Sequence, residues 1–400
     1  MERPDNPMMI TGVLTFDEPL DLERLRETLD TGLRPFVRFT QRVRLRRFGR
    51  RAVWEHDPRF TIERHFEHRM LPPPADRRML SREIARLVST PLPRDRPLWA
   101  LHVLESPIDG RTVLVARLHH CIADGFALMH VLLGLTAEDP DAPPDRVVPT
   151  QLPPVRADVV AIGADLARLA TLKDQPSSVL RGPLGQEKRA AWSAPLALSD
   201  VKAIARGLGG TVNDALMSAT AGALARYLRE RGEDPSGFEL RAAVPVNLRS
   251  GARMDELGNY FGLVFLELPL GIDDPRARFE ELKRRMDRLK RSPEAGVLLR
   301  IMQVVGAGPR WLEDLVVRVL GAKTTAVLTN VPGPRAPRYL AGRRIRTLMF
   351  WVPQTGRVSL GISIFSYAGE VRLGLAADAL SVPDPERVLE AFPDELAALR

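Results

Sequence analysis

The sequence predicts a mixed α/β (α+β) protein arranged as two lobes, and three observations lead there. At 400 residues the chain exceeds the usual span of one hydrophobic core, so two units or one bilobed unit is expected. Short β-branched and apolar runs alternate along its length with stretches of helical spacing. Between the halves, residues 138–156 carry Pro140, Pro143, Pro144, Pro149, Pro153 and Pro154, a composition that gives an extended, exposed connector. The expected division is residues 1–140, a linker 141–188 containing one helix over 157–172, and residues 189–400.

In the first lobe, residues 8–16 read as a strand and residues 20–33 as an amphipathic helix with Leu22, Leu25 and Leu29 on one stripe. Residues 37–45 alternate Val37, Phe39, Val43 and Leu45 with Arg38, Arg42 and Arg44, which predicts a half-exposed strand with an arginine face. A solvated face is the plain reading of those arginines, and phosphate binding is the alternative. Residues 53–55 are the expected partner strand. His65 and His68 lie three apart ahead of Pro72, Pro73 and Pro74, but no acidic residue adds ligand spacing, so an exposed loop or strand is expected and no metal site. Residues 76–89 form a helix with Leu80, Ile84 and Leu87 inward. Pro97 forces an extended start on the strand 100–105, and Trp99 is expected to anchor the core beside it.

Residues 112–118 are apolar and β-branched, and they run straight into His119, His120, three spacers, Asp124 and Gly125. Phe126, Met129, Leu132 and Leu133 then recur at helical spacing to about residue 136. A turn at 107–110 makes residues 99–118 a hairpin whose second strand delivers two imidazoles. A histidine at a strand end can aim one ring nitrogen at a cavity while backbone or a carboxylate fixes the other, which leaves a lone pair as base. Asp124 can brace that turn or cap the helix. Gly125, with no Cβ, admits positive φ or the close approach of a ligand. Two adjacent histidines alone are more often core packing; the full string HHCIADG at a strand-to-helix junction reverses that preference.

The second lobe opens at Ala191-Trp192-Ser193, with residues 174–187 as a loop before it. Ser199 reads as a helix N-cap. Residues 211–229 form a further helix, capped by Thr211 or Asn213, with Asp214 favouring its positive end. For Asn213 and Asp214, capping alone and a part in shaping a cleft stand about even. Residues 240–248 and 259–268 are strands joined by a turn-rich loop at 251–258. Asn259, at the start of the second, either donates a hydrogen bond into a cavity or holds the turn. Residues 276–291 make a helix with Phe279, Leu282, Met286 and Leu289 on one face and Lys283, Arg284, Arg285, Arg288, Lys290 and Arg291 on the rest. A solvated face is the plain reading; coenzyme A phosphates or an anionic lipid surface are the alternatives. Residues 296–322 are strongly apolar, including Trp311 and Leu312, and suit either an interfacial face or the wall of an acyl tunnel. Strands follow at 326–330, 348–352, 358–365 and 371–376, with a terminal helix over 385–400 broken or kinked at Pro393.

Bulk properties narrow the partners. The formal charge of +8 points to an anionic one. With aromatics at only 6% and no recognisable binding module, nucleic acid is not expected. One cysteine, Cys121, excludes an intrachain disulfide and a multi-cysteine zinc site, and fits a reducing cytoplasm. No apolar run of ~20 residues spans a bilayer, so a soluble or membrane-peripheral protein is expected.

HHCIADG resembles the HHxxxDG signature of acyltransferases with the chloramphenicol acetyltransferase-like fold. Pro97-Leu98-Trp99, Thr211-Val212-Asn213-Asp214, Leu257-Gly258-Asn259 and Thr329-Asn330-Val331-Pro332-Gly333-Pro334 resemble, in order, blocks of the bacterial wax ester synthase/diacylglycerol acyltransferase family. The resemblance covers nearly the whole chain. It implies two chloramphenicol acetyltransferase-like lobes, each a mixed sheet flanked by helices, with a tunnel between them. It also implies an acyl-CoA-dependent O-acyltransferase acting on diacylglycerol, a fatty alcohol or both, with acyl-CoA as co-substrate and no resident cofactor. His120 would be the general base, His119 a positioning residue and Asp124 the support of the loop. Gly125, Asn259, Trp99, Asn213 and Asp214 would bind substrate or shape the site, with Asn259 as candidate oxyanion donor. The expected location is cytoplasmic, peripheral to the inner face of the membrane or to lipid inclusions. Two alternatives remain: a condensation-type enzyme using carrier-protein thioesters, and a non-catalytic lipid-binding protein of the same fold. Gly361 stands where the family pattern carries Asn, so no ligand contact is assigned there.

Overall fold

The computed structural model describes residues 5–45, 52–106, 108–145, 173–247, 259, 261–291, 310–353 and 358–400, without the side chains of residues 77 and 310–314. The first half of the chain supplies β1 (Met9–Phe16), α1 (Leu22–Leu33), α2 (Val37–Thr40), β2 (Gln41–Leu45), β3 (Ala52–His56), β4 (Phe66–Met70), α3 (Arg77–Ser89), β5 (Trp99–Glu105), β6 (Thr112–His119) and α4 (Gly125–Leu135). The second supplies β7 (Lys188–Trp192), β8 (Leu196–Ala197), α5 (Leu198–Gly207), α6 (Val212–Glu230), β9 (Glu239–Asn247), β10 (Phe261–Pro269) and α7 (Pro275–Lys290). It continues with α8 (Arg310–Lys323), β11 (Ala326–Pro332), β12 (Tyr339–Leu340), β13 (Arg343–Arg344), β14 (Thr347–Trp351), β15 (Leu360–Tyr367), β16 (Glu370–Asp378) and α9 (Glu386–Ala397).

Two mixed sheets organise these elements, each flanked by helices. The first has five strands in the order β14-β1-β6-β5-β4, with only β4 and β5 parallel. The second runs β10-β9-β11-β15-β16-β7, with β8 also on β16; β11 lies parallel to both β9 and β15. Over this sheet lies α6, whose run of Ala215, Ala219, Ala221, Ala223 and Ala225 is buried, so backbone and sheet approach closely and the helix is apolar on nearly all sides. Its start is fixed by a capping box in which Thr211 accepts from the Asp214 N–H while the Asp214 carboxylate takes the Thr211 N–H.

The lobes exchange structure. β14, from the second half of the chain, pairs antiparallel with β1 from Thr11 opposite Trp351 to Thr15 opposite Thr347. From that strand the Trp351 indole donates to the Ala191 carbonyl of β7 at 3.0 Å. Gly374 on β16 permits this approach, since a Cβ there would collide with the Met349 side chain and crowd Trp351. Arg338 closes the seam from the other side. Its buried guanidinium reaches the Thr136 carbonyl at 2.9 Å, the Thr136 hydroxyl at 3.1 Å, and the carboxylates of Glu138 and Asp145.

Several expectations are corrected. Residues 37–40 are a helical turn, and only Gln41–Leu45 forms the strand, paired with β3; from that turn Phe39 packs edge-on against the Trp99 ring. Ser199 is not the cap: α5 starts at Leu198 after Ala197, and the Ser199 hydroxyl donates to Asp200 instead. His65 is buried rather than exposed, because its ring stacks on Trp99 at 4.2 Å, while His68 lies on β4 as a strand residue. Pro393 does not break the terminal helix, since α9 runs through it. The expected helix over 157–172, the loop 251–258 and residues 296–309 lie outside the described residues, as do the side chains of Trp311 and Leu312.

Candidate active site

β6, the central strand of the first sheet, carries the two imidazoles at its carboxyl end. The His119 N–H donates to the Leu98 carbonyl and the His120 N–H to the Met8 carbonyl, each at 2.9 Å, so the histidine turn hangs from the strands on both sides. Ile122 and Ala123 are buried and pin the turn from below. The buried Asp124 carboxylate accepts from the Ala127 N–H at 3.1 Å, which makes it the N-cap of α4, with its charge at the positive helix end. His119 Nδ1 accepts from the Cys121 N–H at 3.1 Å, so the neutral ring carries its proton on Nε2. Gly125 has no left-handed φ; the space where its Cβ would sit is open.

His120 stands at the seam between the lobes. Its ring lies 5.8 Å from that of Phe261 on β10, and the Asn259 amide donates to the His120 carbonyl at 3.0 Å. This bond crosses the seam to the histidine turn, so it is neither of the two readings open for Asn259, a donor aimed into a cavity or a brace of its own turn. His120 itself is half-buried, deep enough for strong desolvation yet with some surface still reachable. Burial pushes the imidazole below its usual pKa, and the nearby His119 adds to this. Its own backbone, the Asp124 charge and the Asn259 side chain oppose it. The result is a neutral ring at physiological pH, with a lone pair available to take a proton.

The other expected residues are dispersed around this centre. Trp99 is core, as expected: it is 2% exposed and its indole donates to the Phe39 carbonyl at 2.8 Å. Asp214 serves the capping box. Asn213 instead accepts from the Asn330 amide at 2.7 Å, tying the start of α6 to the TNVPGP turn. In that turn Gly333 is required, because a Cβ would collide with the Phe365 ring and the Ser366 carbonyl.

Arg338 was missed by sequence reasoning, although one signal pointed to it. α4 has no basic residue in its last turn and ends on Thr136, so its final carbonyls needed a donor from elsewhere. Along α7 the cations are partly neutralised by Glu281, Asp287 and Glu239, beside an open groove lined by Lys283, Arg284, Arg288, Arg291, Glu280 and Asp287. Among the described residues no group of three or more His, Cys, Asp or Glu side chains could hold a metal.

Comparison with known proteins agrees with this geometry. The model of the wax ester synthase/diacylglycerol acyltransferase catalytic domain matches residues 1–182, and that of the WS/DGAT C-terminal domain matches residues 257–400. Proteins of Mycobacterium bovis and Mycobacterium tuberculosis that carry the name diacylglycerol O-acyltransferase are 30% identical over 95% of this chain and 88% of their own. Among solved structures, the wax ester synthase/diacylglycerol acyltransferase of Marinobacter aquaeolei VT8 superposes with a TM-score of 0.75 at 24% identity, covering 100% of this chain and 95% of that one. The first condensation domain of the calcium-dependent antibiotic synthetase gives 0.64 at 18% identity, over 99% and 91% of the two chains. The chain that hangs HHCIADG between its two sheets belongs to the wax ester synthase/diacylglycerol acyltransferase family.

Proposed function

We propose that the protein is an acyl-CoA-dependent O-acyltransferase that passes a long-chain acyl group to diacylglycerol, to a fatty alcohol, or to both, with His120 as general base. The observation that carries this reading is a desolvated, neutral His120 at the seam, held by Met8 of the first lobe and Asn259 of the second. As the acceptor hydroxyl attacks the thioester carbonyl, His120 removes its proton and the new C–O bond forms. The tetrahedral intermediate then collapses with loss of the C–S bond. The imidazolium returns its proton to the departing sulfur, so the products are an ester and a free thiol, with no acyl-enzyme.

His119 positions the turn through Cys121, and Asp124 favours the imidazolium as it forms. Names of relatives support diacylglycerol as acceptor, and coenzyme A is the donor whose phosphates suit a chain of charge +8. No described helix is long and apolar enough to cross a membrane. The basic α7 supports peripheral attachment to an anionic inner membrane face or lipid inclusion from the cytoplasmic side.

The test follows thiol release from palmitoyl-CoA with diacylglycerol or hexadecanol. His120→Ala should lose about 10² to 10⁴ in kcat with unchanged circular dichroism; near-normal turnover rejects the assignment. Because burial lowers the His120 pKa, the base stays competent on mild acidification. The acid limb of kcat/KM should therefore fall below the ordinary histidine value of about 6.5. The likeness to condensation domains gives the second reading, a carrier-protein thioester as donor, which the same assay separates by donor.

A further inference from the structure

Met8 carries a left-handed backbone beside the histidine turn, with a φ of 51°. Among the described residues three other non-glycine positions share that conformation, Ala75, Ala341 and Ala368. Ala341 and Ala368 each precede a left-handed glycine in the hairpin turns β12–β13 and β15–β16, and Ala75 closes the turn from Pro72 ahead of α3. Met8 is instead a long, buried side chain one residue before β1, where an extended conformation would carry no such cost.

Met9 stands opposite His119 in the ladder between β1 and β6, so Met8 and His120 are the next pair. The His119 N–H turns away to Leu98, which makes that next position one where two antiparallel residues exchange both N–H···O bonds. Between these two described residues only one of the two forms. The His120 N–H donates to the Met8 carbonyl at 2.9 Å, whereas the Met8 N–H, rotated by the positive φ, donates to Oδ1 of the buried Asn6 at 3.4 Å. The His120 carbonyl, released from its strand partner, accepts the Asn259 amide of the second lobe at 3.0 Å.

We propose that Met8 is a positioning residue for His120. Its left-handed backbone, held by Asn6, keeps one strand bond on the turn and hands the His120 carbonyl across the seam to Asn259. The strain at Met8 is thus the means by which both lobes grip a single residue, the first by its N–H and the second by its C=O. This rests on the acyltransferase reading above and names the group that sets the orientation of its base.

The experiment compares Met8→Gly with Met8→Val in thiol release from palmitoyl-CoA. Glycine takes a positive φ freely, whereas a β-branched residue resists it. Met8→Val should therefore lose about 10-fold more kcat than Met8→Gly, the worth of one hydrogen bond to the turn, with KM for palmitoyl-CoA within about twofold in both. Packing alone gives the opposite order, because glycine removes more of a buried side chain. In an Asn259→Ala background the difference between the two should shrink below about twofold, since the carbonyl has lost its partner in the second lobe. Equal losses, a larger loss in Met8→Gly, a difference carried by KM, or one that survives Asn259→Ala overturns the proposal. Should either Met8 variant fail to fold, Asn6→Ala decides, by amide exchange in protein carrying isotope-labelled histidine. Exchange at His120 should accelerate about 10-fold, while that at His119, held from the other side by Leu98, changes less than about twofold. Equal acceleration at both amides, or none at His120, overturns the assignment. Wild type that turns over no thioester rejects the acyltransferase reading itself, and the exchange measurement then decides by itself whether Asn6 and Met8 hold the turn.

Discussion

The two sheets reach completeness in different ways. Every strand of the larger one, from β7 to β16, comes from residues 188–378, and α6 covers it with a core drawn from the same half of the chain. The smaller sheet carries the histidine turn but lacks an edge until β14 arrives from residues 347–351. Its helix α4 likewise depends on Arg338 for its carboxyl end. The lobe that holds the histidine turn is thus braced from outside, and the self-contained lobe supplies the bracing. This arrangement fixes His120 relative to Asn259 and Phe261, so the geometry of the proposed site depends on the seam as much as on either core.

The contrast can be broken most directly at Arg338. Arg338→Met removes a buried cation from two carboxylates and from the end of α4; because Glu138 and Asp145 are themselves solvated, the expected cost is about 3 kcal/mol, the low end for opening a buried pair. Urea unfolding measures it. Amide exchange should rise in β1 and β6 and stay unchanged in β15 and β16; equal loss in both sheets would mean that they unfold as one unit.

A somewhat smaller effect is expected from acid. Burial holds the His65 pKa down to about 4, while the unfolded chain titrates near 6.5. Between those values the unfolded state binds the extra proton, so stability falls as pH drops through that window, by about 3 kcal/mol at most. Unfolding midpoints from pH 7 to pH 4 in wild type and His65→Phe check this. A wild-type slope that survives the substitution assigns the acid sensitivity to another group. The smallest effect should come from the second lobe. Asn330→Ala loses the bond to Asn213, worth about 1 kcal/mol, and the larger core should absorb it with no change in exchange at β1.

What the sequence revealed follows the range of each interaction. Strand and helix periods are local, so β1, β5, β6, α4 and α6 were legible within a residue or two. The histidine turn was legible because its residues are contiguous. His65 was not, since its burial depends on stacking against Trp99, far along the chain, and no local pattern distinguishes a stacked imidazole from a solvated one. Arg38 looked like one arginine of a polar face until α2 replaced the expected strand and set it over Trp54. The roles of Asn213 and Asn259 were left open for the same reason: an amide's partner is a fact of tertiary contact, 117 residues away for Asn213 and 139 for Asn259.

The late arrival of β14 has a consequence on the ribosome. Translation adds about 5–20 residues each second, so β1 emerges and pairs with β6 well before residues 347–351 exist. For that interval the nascent chain presents an unpaired strand edge, the kind of surface that invites wrong partners. A holding chaperone is therefore most needed while the middle of the message is being read, and slow codons there would lengthen the exposure.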